Sequence, residues 1–171
     1  HYSVEEVAPT CTTVGYTLIS CGCGVSLSQV TWIPWAVNGS EELSSGHYYL
    51  EGDYAQDEQK TIISGDQVVL DLRGHTLTTQ DYGRLFLLYG YLAMMDTVGG
   101  GLVTGRGTTS TTYGGTIFVR ENGTLNIYGG VITGGKALST SDGRGGNIAA
   151  WDARINISGT AAESFPLWRR R

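Results

Sequence analysis

Four residues near the start of the chain, His1, Cys11, Cys21 and Cys23, are of the types that hold metal ions. Three thiolates and one imidazole satisfy a closed tetrahedral zinc site, although the Cys21-x-Cys23 spacing is not the usual C-x2-C. A disulfide from Cys11 to Cys21 or Cys23, leaving an odd thiol, is the competing reading for an exported chain, and free thiols are the third. A terminal His1 would also chelate copper through its amine and imidazole. Further on, Asp71, Asp96 and Arg73 form the best candidate for catalysis. Paired carboxylates hold calcium or serve as acid and base, with a cation beside the reacting group. His47 and His75 each follow a glycine at the start of an apolar run, which suits a structural role. Tyr89, Tyr91, Tyr128 and Trp151, together with Tyr82 and Tyr113, offer flat faces for sugar rings; stacking between neighbouring strands is their bland use.

The elements that must position these groups are short β-type runs separated by glycine corners. Residues 114–129, from Gly114-Gly115-Thr116-Ile117 to Leu125-Asn126-Ile127, recur at 145–159 as Gly145-Gly146-Asn147-Ile148 and Ile155-Asn156-Ile157. A period near 30 residues built of strand and turn signals stacked coils, each burying its apolar side chains against its neighbours. Thr61 to Thr78 and Leu85 to Gly105 read as two earlier coils, for about four in all. Period-two alternation sends Val68, Leu70, Leu72, Leu125, Ile127, Ile155 and Ile157 inward. By the same rule Asp71, Asn126, Tyr128, Asn156 and Ser158 point outward. Asn126 and Asn156 then occupy the place of Asp71 on later coils, so acidic density falls away along that face.

No stretch keeps helical periodicity, which removes the α/β folds and leaves an all-β architecture, a parallel β-helix. An antiparallel sandwich is the rival, but a sandwich has no reason to reuse one phrase at a constant offset. Residues 1–30 hold every cysteine and read as a small N-terminal module, 31–45 as a connector, and 46–171 as the β-helix with an apolar and basic tail. Among 171 residues there are 26 glycines and only three prolines, which suits many tight corners rather than a Pro-rich linker. The net charge of −5 argues against nucleic acid, whose phosphates demand a concentrated basic surface. No apolar run approaches the roughly 20 residues of a membrane-spanning helix. A first residue of His rather than Met is expected of a processed product or an excised segment. The sequons at Asn38, Asn122 and Asn156 fit export weakly.

The phrase Val68-Val69-Leu70-Asp71-Leu72-Arg73-Gly74-His75-Thr76-Leu77, with Gly46 to Leu50, Arg84-Leu85-Phe86 and Met95-Asp96, resembles modules of large bacterial surface proteins. Those modules are right-handed parallel β-helices, similar in fold to the pectate-lyase-like superfamily. The resemblance spans about residues 43–160. Ala8-Pro9-Thr10-Cys11-Thr12 and Cys21-Gly22-Cys23-Gly24, with His1 ahead of them, resemble a short Cys-rich repeat of secreted proteins of Gram-positive gut bacteria. Both resemblances imply an extracellular setting on a bacterial cell surface.

A β-helix exposes unpaired backbone and an apolar cross-section at each end unless something covers them. Trp32 and Trp35 lie before the repeats and Trp168 after them, where they would cover core ends. An uncovered end would meet a second copy head to tail, giving a filament, or the adjoining coils of a longer parent. The function expected is therefore a non-catalytic structural or adhesive module; the alternative is a domain that binds or degrades polysaccharides.

Overall fold

A computed structural model describes residues 2–7, 16–21, 26–35, 43–80, 83–106, 115–136, 146–158, 162–163 and 168–170, with side chains for 32–35, 43–80, 83–106, 115–136 and 146–158. The described residues are all-β, with no α-helix among them. Three strands come first: β1 (Tyr2–Val7), β2 (Tyr16–Cys21) and β3 (Ser26–Pro34). They form an antiparallel meander. The end of β3 then runs parallel to β4 (Gly46–Tyr49), pairing Trp32 with His47 and Pro34 with Tyr49.

From β4 onward the strands come in threes. After β4 follow β5 (Tyr54–Gln56) and β6 (Lys60–Ile62), then β7 (Gln67–Asp71), β8 (Thr76–Thr79) and β9 (Phe86–Leu88). The next triplet is β10 (Tyr91–Met95), β11 (Leu102–Thr104) and β12 (Ile117–Arg120). After it come β13 (Thr124–Ile127), β14 (Val131–Thr133) and β15 (Ile148–Trp151). The last is β16 (Arg154–Ile157), β17 (Ala162–Glu163) and β18 (Trp168–Arg170). Each strand pairs in parallel with the strand three places on, so the members of a triplet lie in three different sheets. The first sheet has the order β1-β2-β3-β4-β7-β10-β13-β16, the second β17-β14-β11-β8-β5 and the third β18-β15-β12-β9-β6. The chain thus visits the three sheets in turn and returns to the first one strand further on, an arrangement compatible with a parallel β-helix. The sequence count of about four coils opens at Thr61, inside β6, and so omits β4 and β5, whose Gly46-His47-Tyr48-Tyr49 and Tyr54-Ala55-Gln56 lack the aliphatic alternation of the later strands.

The repeated phrase is a statement of strand register. Ile117 pairs with Ile148 and Leu125 with Ile155, so the two copies lie side by side. Aliphatic ladders fill the interior: Val68, Leu92, Leu125 and Ile155 in one row of the first sheet, and Leu70, Met94 and Ile127 in the next, all buried. Leu77, Val103 and Ile132 line the second sheet; Ile62, Leu88, Val119 and Ala150 line the third. Each fully buried Leu or Ile contributes about 1.5–3 kcal/mol. At the N-terminal side the buried Trp35 sets its ring edge-on to Tyr48 and Phe86, both at 6.0 Å between centroids, and closes the core there. At the opposite side Ile157 belongs to the inward row and is 41% exposed; among the described residues its strand, β16, pairs on one side only.

The corners explain the Gly-Gly pairs. A side chain at Gly115 would place its Cβ on the amide nitrogen of Lys136 and 2.6 Å from the carbonyl oxygen of Gly146. Backbones from two passages meet there, so only glycine fits. The residue after each pair is buried and polar and ties the corner. Asn147 donates from Nδ2 to the Ile132 carbonyl at 3.0 Å and accepts the Gly135 amide on Oδ1 at 2.9 Å. Thr116, in register with Asn147 one coil earlier, donates from Oγ1 to the Thr133 carbonyl at 3.4 Å.

Candidate functional site

The last residue of β7 and the first residue after β10 are the carboxylates of the expected acid–base group. Asp71, expected outward, is 3% exposed. Its Oδ1 accepts the amides of Arg73 and Thr97, both at 3.1 Å, and its Oδ2 accepts the Thr97 hydroxyl at 2.7 Å. Arg73 Nε lies 3.7 Å from Oδ2. Asp96 is likewise engaged: Oδ1 accepts the amides of Gly74 at 2.7 Å and Gly99 at 3.1 Å, and Oδ2 accepts that of Gly101 at 2.7 Å. Both carboxylates therefore fasten one coil's turn to the next, a use that occupies the lone pairs a calcium ion or a proton in transit would need. Arg73 sits in the left-handed region at φ 49° and lays its guanidinium 3.9 Å from the Tyr49 ring centroid, with Trp32 at 6.0 Å.

The outward column expected to link Asp71 with Asn126 and Asn156 is shifted. Asp71 pairs with Met95, whereas Asn126 pairs with Ala93 and with Asn156. β7 extends two residues beyond the place of Asn126, so Leu70-Asp71-Leu72 and Leu125-Asn126-Ile127 look alike in sequence but stand at different heights along their strands. Asn126 points outward and is nevertheless buried, because Asn156 donates to its Oδ1 at 2.7 Å while it donates from Nδ2 to the Tyr91 hydroxyl at 2.8 Å.

His47 meets the Trp32 ring edge-on at 5.4 Å, and His75 Nδ1 lies 3.9 Å from Asp53. Tyr49 is buried and donates its hydroxyl to Glu51 at 3.0 Å. Its phenol is pushed above the ordinary value by burial, then by that hydrogen bond and the charge of Glu51, against the opposing pull of Arg73. Among the described residues, no three of His, Cys, Asp and Glu gather as metal ligands. His1, Cys11 and Cys23 lie outside the described residues, as do Tyr82 and Tyr113; Cys21 ends β2, opposite Tyr2, with its side chain outside them.

The four described aromatics proposed for sugar contact fall into two groups rather than one stripe. Tyr91 and Tyr128 are neighbours on the outer face of the first sheet. Tyr128, 46% exposed, has its phenol raised chiefly by the charge of Tyr91, then by burial and a hydrogen bond with Tyr91. Tyr89 and Trp151 flank Arg120: Trp151, 37% exposed, is in register with Arg120, whose guanidinium carbon lies 5.8 Å from the Tyr89 ring centroid.

Tyr89 and Tyr91 share a hollow of about 210 Å³ with Asp66, Gln67, Asn122 and Thr124, at the corner where the third sheet turns into the first. Asn122 also borders a second hollow of about 340 Å³, with Asp152 and Arg154. Glu121, Asn122 and Asp152 have φ of 50°, 69° and 51°, and the Asn122 amide donates to the Asp152 carbonyl at 2.7 Å, so the corner backbones are stacked as the strands are. Neither Trp151 nor Tyr128 borders these hollows. Of the polar residues that do, the sequence marks Asn122 only as the start of a sequon and gives Gln67, Asp152 and Arg154 no role, although Glu121-Asn122-Gly123 ahead of a strand is a turn signal. A scan against protein-family models finds no match to the chain, a search of curated proteins finds none, and a search of solved structures finds none.

Proposed function

We propose that the chain is a right-handed parallel β-helix that serves as a non-catalytic, extracellular structural or adhesive module of a bacterial surface protein, joined end to end with further copies. The observation that carries the non-catalytic part is the engagement of Asp71 and Asp96 with backbone amides on neighbouring turns. Groups held this way stiffen a stack and are poorly placed to act on a substrate. The right hand follows from the strong preference of parallel crossover connections for that sense. The bacterial surface setting rests on the sequence phrases around Val68 to Leu77 and Cys11 to Gly24.

End-to-end contact is supported by β16, an edge strand that presents Ile157, and by the distribution of charge. Residues 1–66 hold nine carboxylates and one lysine, whereas residues 67–171 hold seven carboxylates and ten basic side chains. The first 66 residues are thus net acidic and the remainder net basic, an asymmetry along the sequence that favours head-to-tail over head-to-head approach. Head-to-tail contacts that do not close generate filaments. Sedimentation velocity of the chain and of Ile157→Lys tests this. The parent should sediment as oligomers at low salt and shift toward monomer at high salt, while the variant stays monomeric. A parent that is monomeric at every salt concentration contradicts end-to-end contact.

A further inference from the structure

We infer that the corner between the third and first sheets is a binding site for a linear, uncharged glycan, lying along the stack over Asn122. The site is a trough made of the two hollows that share Asn122. Beneath it the corner backbones are packed closely: a side chain at Gly90 would set its Cβ against the Ile63 carbonyl oxygen, and one at Gly123 would lie 2.8 Å from those of Arg120 and Leu88. One wall is a row in strict register: Gln67 beside Tyr91, Tyr91 beside Thr124, Thr124 beside Arg154. Tyr89 and Asn122 complete the lining. At about 4.8 Å per strand the four-residue wall runs roughly 14 Å, room for several consecutive sugar rings.

The lining chooses the ligand class. Two tyrosines supply flat apolar faces, and the Gln67, Asn122 and Thr124 side chains supply both donors and acceptors, the mixture that suits ring faces and hydroxyls. Two carboxylates, Asp66 and Asp152, border the trough against one guanidinium, Arg154, so no excess of positive charge is there to hold an anionic chain, and the Asp66 Oδ1 already accepts the Ser45 amide and hydroxyl. An extended peptide would need free backbone groups to pair with. Here the amides of Gly90, Tyr91, Thr124 and Arg154 donate internally, to Ile62, Asp66, Gly90 and Gly123. Recognition through side chains alone is what a glycan requires. The inference does not depend on end-to-end contact.

Isothermal titration with neutral linear hexose oligosaccharides, and with oligogalacturonate as the charged counterpart, tests the site. The neutral series should bind and the charged one should not. Asn122→Gly, which keeps the left-handed backbone, and Tyr89→Ala should each weaken binding about tenfold or more. Trp151→Ala, outside the trough, should change it less than about twofold. Gln67→Ala, at an exposed rim position, serves if either trough variant unfolds, and should weaken binding likewise. Absence of binding by the folded parent to every neutral oligosaccharide, preference for the charged one, or dependence on Trp151 rather than on the trough residues would overturn the inference.

Discussion

Asn156 donates its side-chain amide to Asn126 at 2.7 Å from the same outward place on the neighbouring strand, and Asn126 passes the contact on to the Tyr91 hydroxyl at 2.8 Å. This ladder runs outside the aliphatic rows and binds three successive coils. Asn126, at 9% exposure, is its middle member. Asn126→Ala removes both contacts at once, although Tyr91 keeps its bond with Tyr128, and should cost about 1–3 kcal/mol. That corresponds to a fall in Tm of about 2–4 °C per kcal/mol, measurable by circular dichroism. Asn156→Ala, on an exposed edge position, should cost less. Equal midpoints for the parent and Asn126→Ala would show that the ladder bears no load.

Asp96 accepts three backbone amides from two different turns. Asp96→Ala should destabilise the fold by about 3 kcal/mol, since hydrogen bonds to a charged acceptor contribute about 1.5–3 kcal/mol each and the loop relaxes toward water. Urea titration checks this. An Asp96→Asn variant that kept full stability while abolishing a polysaccharide-cleaving activity of the parent would instead place Asp96 in catalysis.

Gly115 and Gly146 occupy equivalent places in the repeated phrase but differ in space. A Cβ at Gly115 meets the backbone of Gly135, Lys136 and Gly146, whereas one at Gly146 comes no closer than 3.1 Å, to the Gly135 carbonyl oxygen. Gly115→Ala should therefore be severely destabilising, by about 3 kcal/mol or more, and Gly146→Ala by about 1 kcal/mol. Denaturation midpoints in the reverse order would contradict the described corner.

The Tyr49 phenol is raised above 10 by burial first, then by Glu51. The folded state therefore holds this proton more tightly than the unfolded chain does. Its contribution to stability is complete below pH 10 and is lost as pH climbs from there through the raised folded value. In a titration of phenolate absorbance, the component missing from Tyr49→Phe should titrate above pH 10. A missing component at or below pH 10 would contradict the assigned environment.

The sequence exposed the stacking because Ile117 and Ile148, and Leu125 and Ile155, are paired residues as well as repeated ones. It misled where corner lengths differ. Val68 pairs with Leu92 and Leu92 with Leu125, steps of unequal length, so counting along the chain placed Asp71 in the column of Asn126 when it belongs beside Met95. The first passage was hard to read for a second reason. Lys60 is buried and stands in register with Phe86, a polar residue at an inward position that no alternation rule anticipates. The trough was hidden as well, because its residues come from four separate turns that only the stacking brings together.

Negative-stain electron microscopy of the purified chain at low salt tests the central claim most directly. Particles joined end to end into rods or filaments, shortening as salt is raised, are the predicted result. A uniform field of single particles at every salt concentration would contradict it.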